Sequence, residues 1–312
     1  MKIFYLTHGT INFEEKKHFA NSLIDMGHDV LYYNYVSQLE GLGHDKLQKH
    51  IIMNCMDFDP DLVFCLLHKD EIDYSTLGTL RENGYLVINW FFDDVWRFND
   101  FSRFWIPYLD YIITTSPDAA NWYSAYGAKD KVIPSTYAGN PQYFTARYLP
   151  KIYKISFVGQ SHGIRGEYIQ KLKDAGIDVR AFGRGFTDRI SFNDMIDIFS
   201  QSYICLNISE VSGQSGKLQA KARDFEIACT GGGCLLTGNS DMIEDCYVDG
   251  KEIVVYDNLD DLVLKAKHLI RHPDYCMELA QNARQKTLEE HTYQHRFETI
   301  FQKIGFRKDG EK

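Results

Sequence analysis

Residues 61–91, DLVFCLLHKDEIDYSTLGTLRENGYLVINWF, decide the fold. Two short apolar runs, 61–67 and 85–91, enclose a segment near 74–82 with helical spacing. Short apolar runs read as strands buried on both faces, and strands alternating with helices make a parallel, doubly wound sheet. The same unit repeats outward in both directions. On the amino side KIFYLT (2–7) reads as a strand, and residues 12–26 as a helix with Phe19, Ala20, Leu23 and Met26 on one face. Gly27 closes that helix, DVLYYN (29–34) follows as a strand, and another helix is expected near 44–56. On the carboxyl side come the strand DYIITTS (110–116), a helix over 118–126 and the strand KVIPST (131–136).

Residues 138–152, AGNPQYFTARYLPKI, lose the periodicity and read as a linker. The alternation restarts with KISFVG (154–159), a helix over 165–174, and DVRAFG (178–183). A helix over 192–200 follows, with Phe192, Met195, Ile196 and Phe199 on one face. Next come YICLNIS (203–209), a helix over 216–229, GCLLTG (233–238) and EIVVY (252–256). Leu259, Leu262, Val263, Ala266, Leu269 and Ile270 keep helical spacing, and helices near 274–290 and 292–305 end the pattern. The expected fold is α/β, with two Rossmann-like lobes divided into domains 1–145 and 146–312. Ligands of open parallel sheets bind beyond the carboxyl ends of the strands, which makes the cleft between the lobes the default site.

The 312 residues suffice for two domains at roughly 150 each, and 44% hydrophobic with 25% charged residues excludes a disordered or fibrous chain. The net charge of −9 argues against nucleic-acid binding, which needs a basic face. That charge is uneven. Residues 1–150 carry 12 Lys/Arg against 19 Asp/Glu, or −7, and the remainder 22 against 24, or −2. A phosphate-bearing ligand is better placed in the second half. Seven cysteines without a C-x-x-C pair read as reduced, buried thiols. The chain opens directly on a strand, and its longest apolar run is too short for a bilayer, so a cytoplasmic protein without a transmembrane segment is expected.

The richest stretch is 216–238, GKLQAKARDFEIACTGGGCLLTG. On a helix Leu218, Ala222, Phe225 and Cys229 form a buried stripe, with Gln219, Arg223 and Glu226 along one flank and Lys217, Lys221 and Asp224 along the other. A guanidinium can grip phosphate oxygens and a carboxylate can accept both hydroxyls of a ribose. Arg223 and Glu226 at i, i+3 can equally form a plain ion pair. The triple glycine 231–233 reads as a helix stop.

This stretch, KARDFEIACTGGGCLLTG, resembles the R-x-FE-x-x-A-C-G-G-x-L-L-T segment of CgeB-like (spore-protein type) glycosyltransferases of the GT-B fold, a group 1-like family. FDPDLVFCLLHKDE and VINWFFDDVWRF are similar to the first lobe of that family. The resemblance implies a glycosyltransferase that uses a nucleotide-diphosphate sugar. Glu226 would hold the donor ribose and a nearby basic residue the diphosphate, while the last helix can cross back to the first lobe. Many retaining relatives carry a second glutamate eight positions earlier. Here that position is Leu218, which leaves the stereochemical outcome open.

Around this motif the remaining candidates follow strand ends. Gly159, Ser161, Gly163 and Arg165 form a glycine-containing loop into a helix, where N–H groups and the helix dipole suit a diphosphate. The loop matches neither a dinucleotide fingerprint nor a Walker lysine motif. Arg184, in FGRGF, either stacks on the base or stays in solvent. His8, Asp93 and Asp94 follow strands of the first lobe, and a histidine held by a carboxylate is a competent base for an acceptor hydroxyl. The aspartates also suit helix capping and an ion pair with Arg97. Asp57-Phe58-Asp59 precedes a strand rather than following one, and the His268/His272 and His291/His295 pairs lack a recognisable third ligand. No metal and no cofactor are therefore expected. The partners would be a nucleotide-sugar donor and a carbohydrate, protein or small-molecule acceptor. Alternatives of the same fold are a nucleotide-sugar 2-epimerase and a non-catalytic nucleotide- or sugar-binding protein of surface-layer assembly.

Overall fold

The computed structural model describes residues 1–9, 16–211 and 217–306. Six strands form the first sheet: β1 (Lys2–Thr7), β2 (Asp29–Asn34), β3 (Leu62–Leu66), β4 (Val87–Phe91), β5 (Tyr111–Thr114) and β6 (Val132–Pro134). All neighbours are parallel, in the order β2-β1-β3-β4-β5-β6. β3 and β4 are buried at every position, as strands covered on both faces must be. A second parallel sheet contains β7 (Tyr153–Val158), β8 (Val179–Phe182), β9 (Ser202–Leu206), β10 (Cys234–Gly238) and β11 (Val254–Tyr256), ordered β11-β10-β9-β7-β8. In each sheet the strand order reverses once, between β1 and β3 and between β7 and β9. Ligands of such sheets bind at those reversal points.

Apolar residues alternate between the two faces of the second sheet. Val158, Cys205, Leu235 and Val255 join one core, and Phe157, Leu206, Cys234 and Tyr256 the other. All seven cysteines are free and buried.

The chain divides into Met1–Thr136 plus the end from Tyr293, and Tyr137–Thr292. The expected boundary at 145/146 therefore moves nine residues towards the amino end. Residues 137–152 lack strands but are anchored to the second unit. Phe144 is fully buried in its core, Arg147 pairs with Asp197 at 2.7 Å, and the Lys151 ammonium donates to the carbonyls of Ser200 and Ser202. The last helix, Tyr293–Lys303, belongs to the first unit, as the resemblance implied, although the domain bounds 146–312 placed it in the second. It closes an aromatic cluster there: Phe19–Tyr293 ring centroids are 4.9 Å apart, Phe64–Phe297 5.6 Å and Trp90–Phe297 6.1 Å.

Two helices depart from the expectation. Of residues 12–26, a π-helical turn covers Lys16–Ala20 and an α-helix only Asn21–Asp25, while 12–15 lie outside the described residues. The helix expected over 216–229 starts at Ala222 and runs to Thr230. Leu218 instead bridges Glu210 in antiparallel fashion, and Gln219 bridges Asp241 in parallel. Asp224 sets this start, because its carboxylate accepts the Lys221 backbone N–H at 2.8 Å. Gly231, with φ of +66° and its N–H bonded to the Ile227 carbonyl, stops the helix as expected.

Candidate active site

At the reversal point of the second sheet, β7 runs into Gly159 and β9 into Asn207. The Gly159 N–H donates to the Phe182 carbonyl and the Ser161 N–H to that of Arg184, both at 2.9 Å. Four of the sequence candidates, Gly159, Ser161, Gly163 and Arg165, thus form one loop backed by the exposed Arg184 turn. The helix Arg165–Asp174 starts here. Its mouth already holds an anion: Glu210 Oε2 accepts the Ile164 N–H at 2.9 Å. Gly163, with φ of +56°, permits this approach, since a Cβ there would lie 1.9 Å from that oxygen. Glu210 is 5% exposed and was not among the residues singled out from sequence.

Beside this carboxylate stands Arg165. Burial lowers its pKa first, and the positive charge of Arg223 lowers it further, against the opposing pull of Glu210. Two guanidiniums from different helices therefore sense each other at one strand end. Arg165 donates to the Gln160 carbonyl at 3.2 Å, and its buried Nε has no acceptor among the described residues. Arg223 donates to Glu226 Oε2 at 2.5 Å, with Glu226 only 5% exposed in its side chain. The i, i+3 ion pair thus forms, but largely out of solvent.

A polar network seats the helix that carries this pair. Asp224 Oδ1 accepts from Asn207 Nδ2 and Thr237 Oγ1, each at 2.6 Å, and Ser209 lies within 3.2 Å of Thr237. Burial pushes the Asp224 pKa up, and these donors oppose it. Sequence reading placed Asp224 on the flank with Lys217 and Lys221; only its neighbours across β9 and β10 show it as the anchor. Lys217 and Gln219 are not on that helix. Lys217 accepts the Val211 N–H through its carbonyl, and the buried Gln219 donates its N–H to Ser209, so both strap the segment carrying Glu210.

At the reversal point of the first sheet, the half-buried His8 ring stacks on His68, centroids 4.8 Å apart at 28°. His68 Nδ1 lies 3.3 Å from Glu71 Oε1, and Arg97 donates to the His68 carbonyl. Burial raises the Glu71 pKa, yet its bonds from His68 and the Lys69 N–H hold it below the ordinary carboxylate range. Next to His8, Glu71 and His68 form a carboxylate–histidine contact.

Asp94 cannot meet an acceptor. It is fully buried and accepts from Thr114 Oγ1 at 2.6 Å and Tyr123 OH at 3.0 Å. Burial lifts its pKa to about 6 despite those bonds. Arg97 lies over the Phe101 ring at 4.1 Å and bonds the His68 carbonyl. Asp93 is exposed at the head of the short helix Asp94–Arg97, its carbonyl accepting from Trp96 and Arg97 N–H groups.

Asp57 and Asp59 lie at the amino end of β3, away from the strand ends that carry these candidates. His272 Nδ1 sits 2.7 Å from the His268 carbonyl, and His291 Nε2 2.7 Å from the Cys246 carbonyl. Among the described residues no three metal-ligating side chains come together, and no helix is long and apolar enough to cross a membrane.

The model of a family described as "Glycosyl transferase-like" matches residues 165–302, which include both arginines and Glu226. No curated protein matches the chain in sequence. Several solved structures share its fold. Sucrose-phosphate synthase of Thermosynechococcus elongatus is 11% identical with a TM-score of 0.67, covering 97% of this chain and 98% of its own. HepE of Anabaena, solved in complex with UDP and glucose, is 10% identical with a TM-score of 0.68, over 98% and 99%. A glycosyltransferase of Rickettsia africae is 11% identical with a TM-score of 0.65, over 97% and 98%. The chain has the GT-B fold of these enzymes: two Rossmann-like α/β domains, each built on a parallel sheet.

Proposed function

We propose that this protein is a glycosyltransferase that moves a sugar from a nucleoside diphosphate donor, bound on the second unit, to an acceptor. The observation that carries the reading is that two basic helix positions share the end of β9: Arg165 donates to the Ile208 carbonyl at 3.5 Å, and Arg223, paired with Glu226, stands next to the Asp224 that holds Asn207. Two cations under mutual strain gain most from a ligand of two or more negative charges, and a diphosphate is one. Glu226 takes the ribose hydroxyls once Arg223 turns to the ligand. The HepE complexes with UDP and UDP-glucose favour UDP as the nucleotide, and the 217–238 segment supports a CgeB-like member.

Catalysis in this reading is positioning plus charge stabilisation of the leaving diphosphate by the two arginines. His8, at the first reversal point, is the base for the acceptor hydroxyl, and His68 fixes its ring by stacking. The cations take the place of a divalent ion. The test is release of nucleoside diphosphate from UDP-, GDP-, dTDP- and CDP-sugars with and without EDTA. Release of UDP from a UDP-sugar at an unchanged rate in EDTA is expected. Loss in chelator that manganese or magnesium restores would overturn metal independence, and no release from any donor would overturn the enzyme reading.

A further inference from the structure

The first unit contains a pocket of about 470 Å³ that neither the donor site nor the histidine pair uses. Its walls come from the segment after β3 and the segment after β4, so it opens beyond the carboxyl ends of adjacent strands. Rings dominate it. Trp96 is 46% and Tyr74 40% exposed, large apolar faces that cost free energy when left in water. Tyr74 packs on Trp105 with centroids 4.4 Å apart, and Phe101 backs Trp105 at 6.1 Å. Trp105 is 2% exposed, yet its indole N–H has no acceptor among the described residues.

Around the rings stand polar groups of both signs. Asp70, Asp73 and Asp100 face Lys69 and Arg97, leaving the pocket one negative charge in excess. Carboxylates accept hydroxyl donors, whereas an anionic ligand would be repelled. Flat aromatic faces flanked by hydrogen-bond acceptors suit a pyranose, which has apolar C–H faces and an equatorial rim of hydroxyls. Arg97 connects the pocket to the base, since it lies 5.5 Å over the Trp96 ring and also donates to the carbonyl of His68, whose ring stacks on His8.

We propose that this pocket seats the acceptor and that the acceptor is an uncharged saccharide, its ring laid on Trp96 and Tyr74. The proposal rests on the glycosyltransferase reading, but a different measurement decides it. Labelled full-length protein is applied to a printed array of gluco-, manno-, galacto- and N-acetylglucosamine oligosaccharides, alongside sialylated and phosphorylated glycans. UDP affinity is measured on the same preparations by calorimetry. The expected result is retention of wild type by at least one neutral oligosaccharide, with at least tenfold weaker retention of Trp96→Ala and of Tyr74→Phe,Trp96→Ala and unchanged UDP affinity. Circular dichroism of each variant checks folding, and Trp96→Phe should recover part of the retention. No retention on any neutral glycan, equal retention of wild type and Trp96→Ala, or retention only on charged glycans overturns the proposal. Loss of UDP binding in wild type instead overturns the donor reading and leaves the array result to stand by itself.

Discussion

Two carboxylates show how burial rather than residue type decides a role. Asp94 stands beside Asp93 in sequence but lies in a closed set of hydroxyl donors, and burial raises its pKa from 3.8 to about 6. The folded protein therefore keeps the proton between about pH 4 and 6 while the unfolded chain has lost it. Stability from this group is fully present below pH 4 and is lost as pH rises through 6, a change on the order of 3 kcal/mol. Urea unfolding of wild type and Asp94→Asn across that range should show the variant's free energy falling less steeply; parallel curves would contradict the assignment. Glu210 is the opposite case, a carboxylate placed where a phosphate was expected. Removing its charge removes repulsion of a diphosphate next to Arg165. Glu210→Gln should bind UDP several-fold more tightly in a calorimetric titration, and weaker binding would show that Glu210 orients the loop instead. Neither role was legible in sequence, because both depend on residues 20 to 46 positions away.

At the scale of elements, local pattern was a good guide wherever a strand or helix buries a regular stripe. β1, β3, β4, β7 and β10 and the helices at 44–58, 74–82, 165–174, 192–200 and 259–270 stand where periodicity placed them. It failed where a tertiary contact sets an end. The helix of residues 222–230 reads as starting six residues earlier in sequence because Leu218 fits its apolar stripe, but Asp224 caps the backbone at Lys221 and the preceding segment runs as a strap. Asp224 also holds Asn207 and Thr237. Asp224→Ala leaves those two buried groups and the Lys221 N–H without their partner, so chemical denaturation should show a loss of about 3 kcal/mol or more. A loss under 1 kcal/mol would mean that the network is not what seats the helix. The short helix Asp94–Arg97 and the 3-10 turn Ser102–Tyr108 were missed because four to seven residues are too few for periodicity to register.

For the whole molecule, two repeated α/β units were readable and their boundary was not. The segment 138–152 looks like a linker because it has no period, yet Phe144, Arg147 and Lys151 tie it to the second unit one contact at a time. The amphipathic last helix was plain in sequence, whereas its seat among Phe19, Phe64 and Trp90 is a property of the first unit's folded surface. The division bears on function, since the residues assigned to the donor all fall in Tyr137–Thr292, the less acidic part of the chain. The central claim is that Arg223 and Glu226 form half of a nucleoside diphosphate site. Calorimetric titration of the intact protein with UDP tests it most directly, in wild type, Arg223→Ala and Glu226→Ala, with folding checked by circular dichroism. Each substitution removes a charge-assisted hydrogen bond to the ligand and should weaken UDP binding by about 1–3 kcal/mol. Folded variants that bind UDP as tightly as wild type would contradict the account.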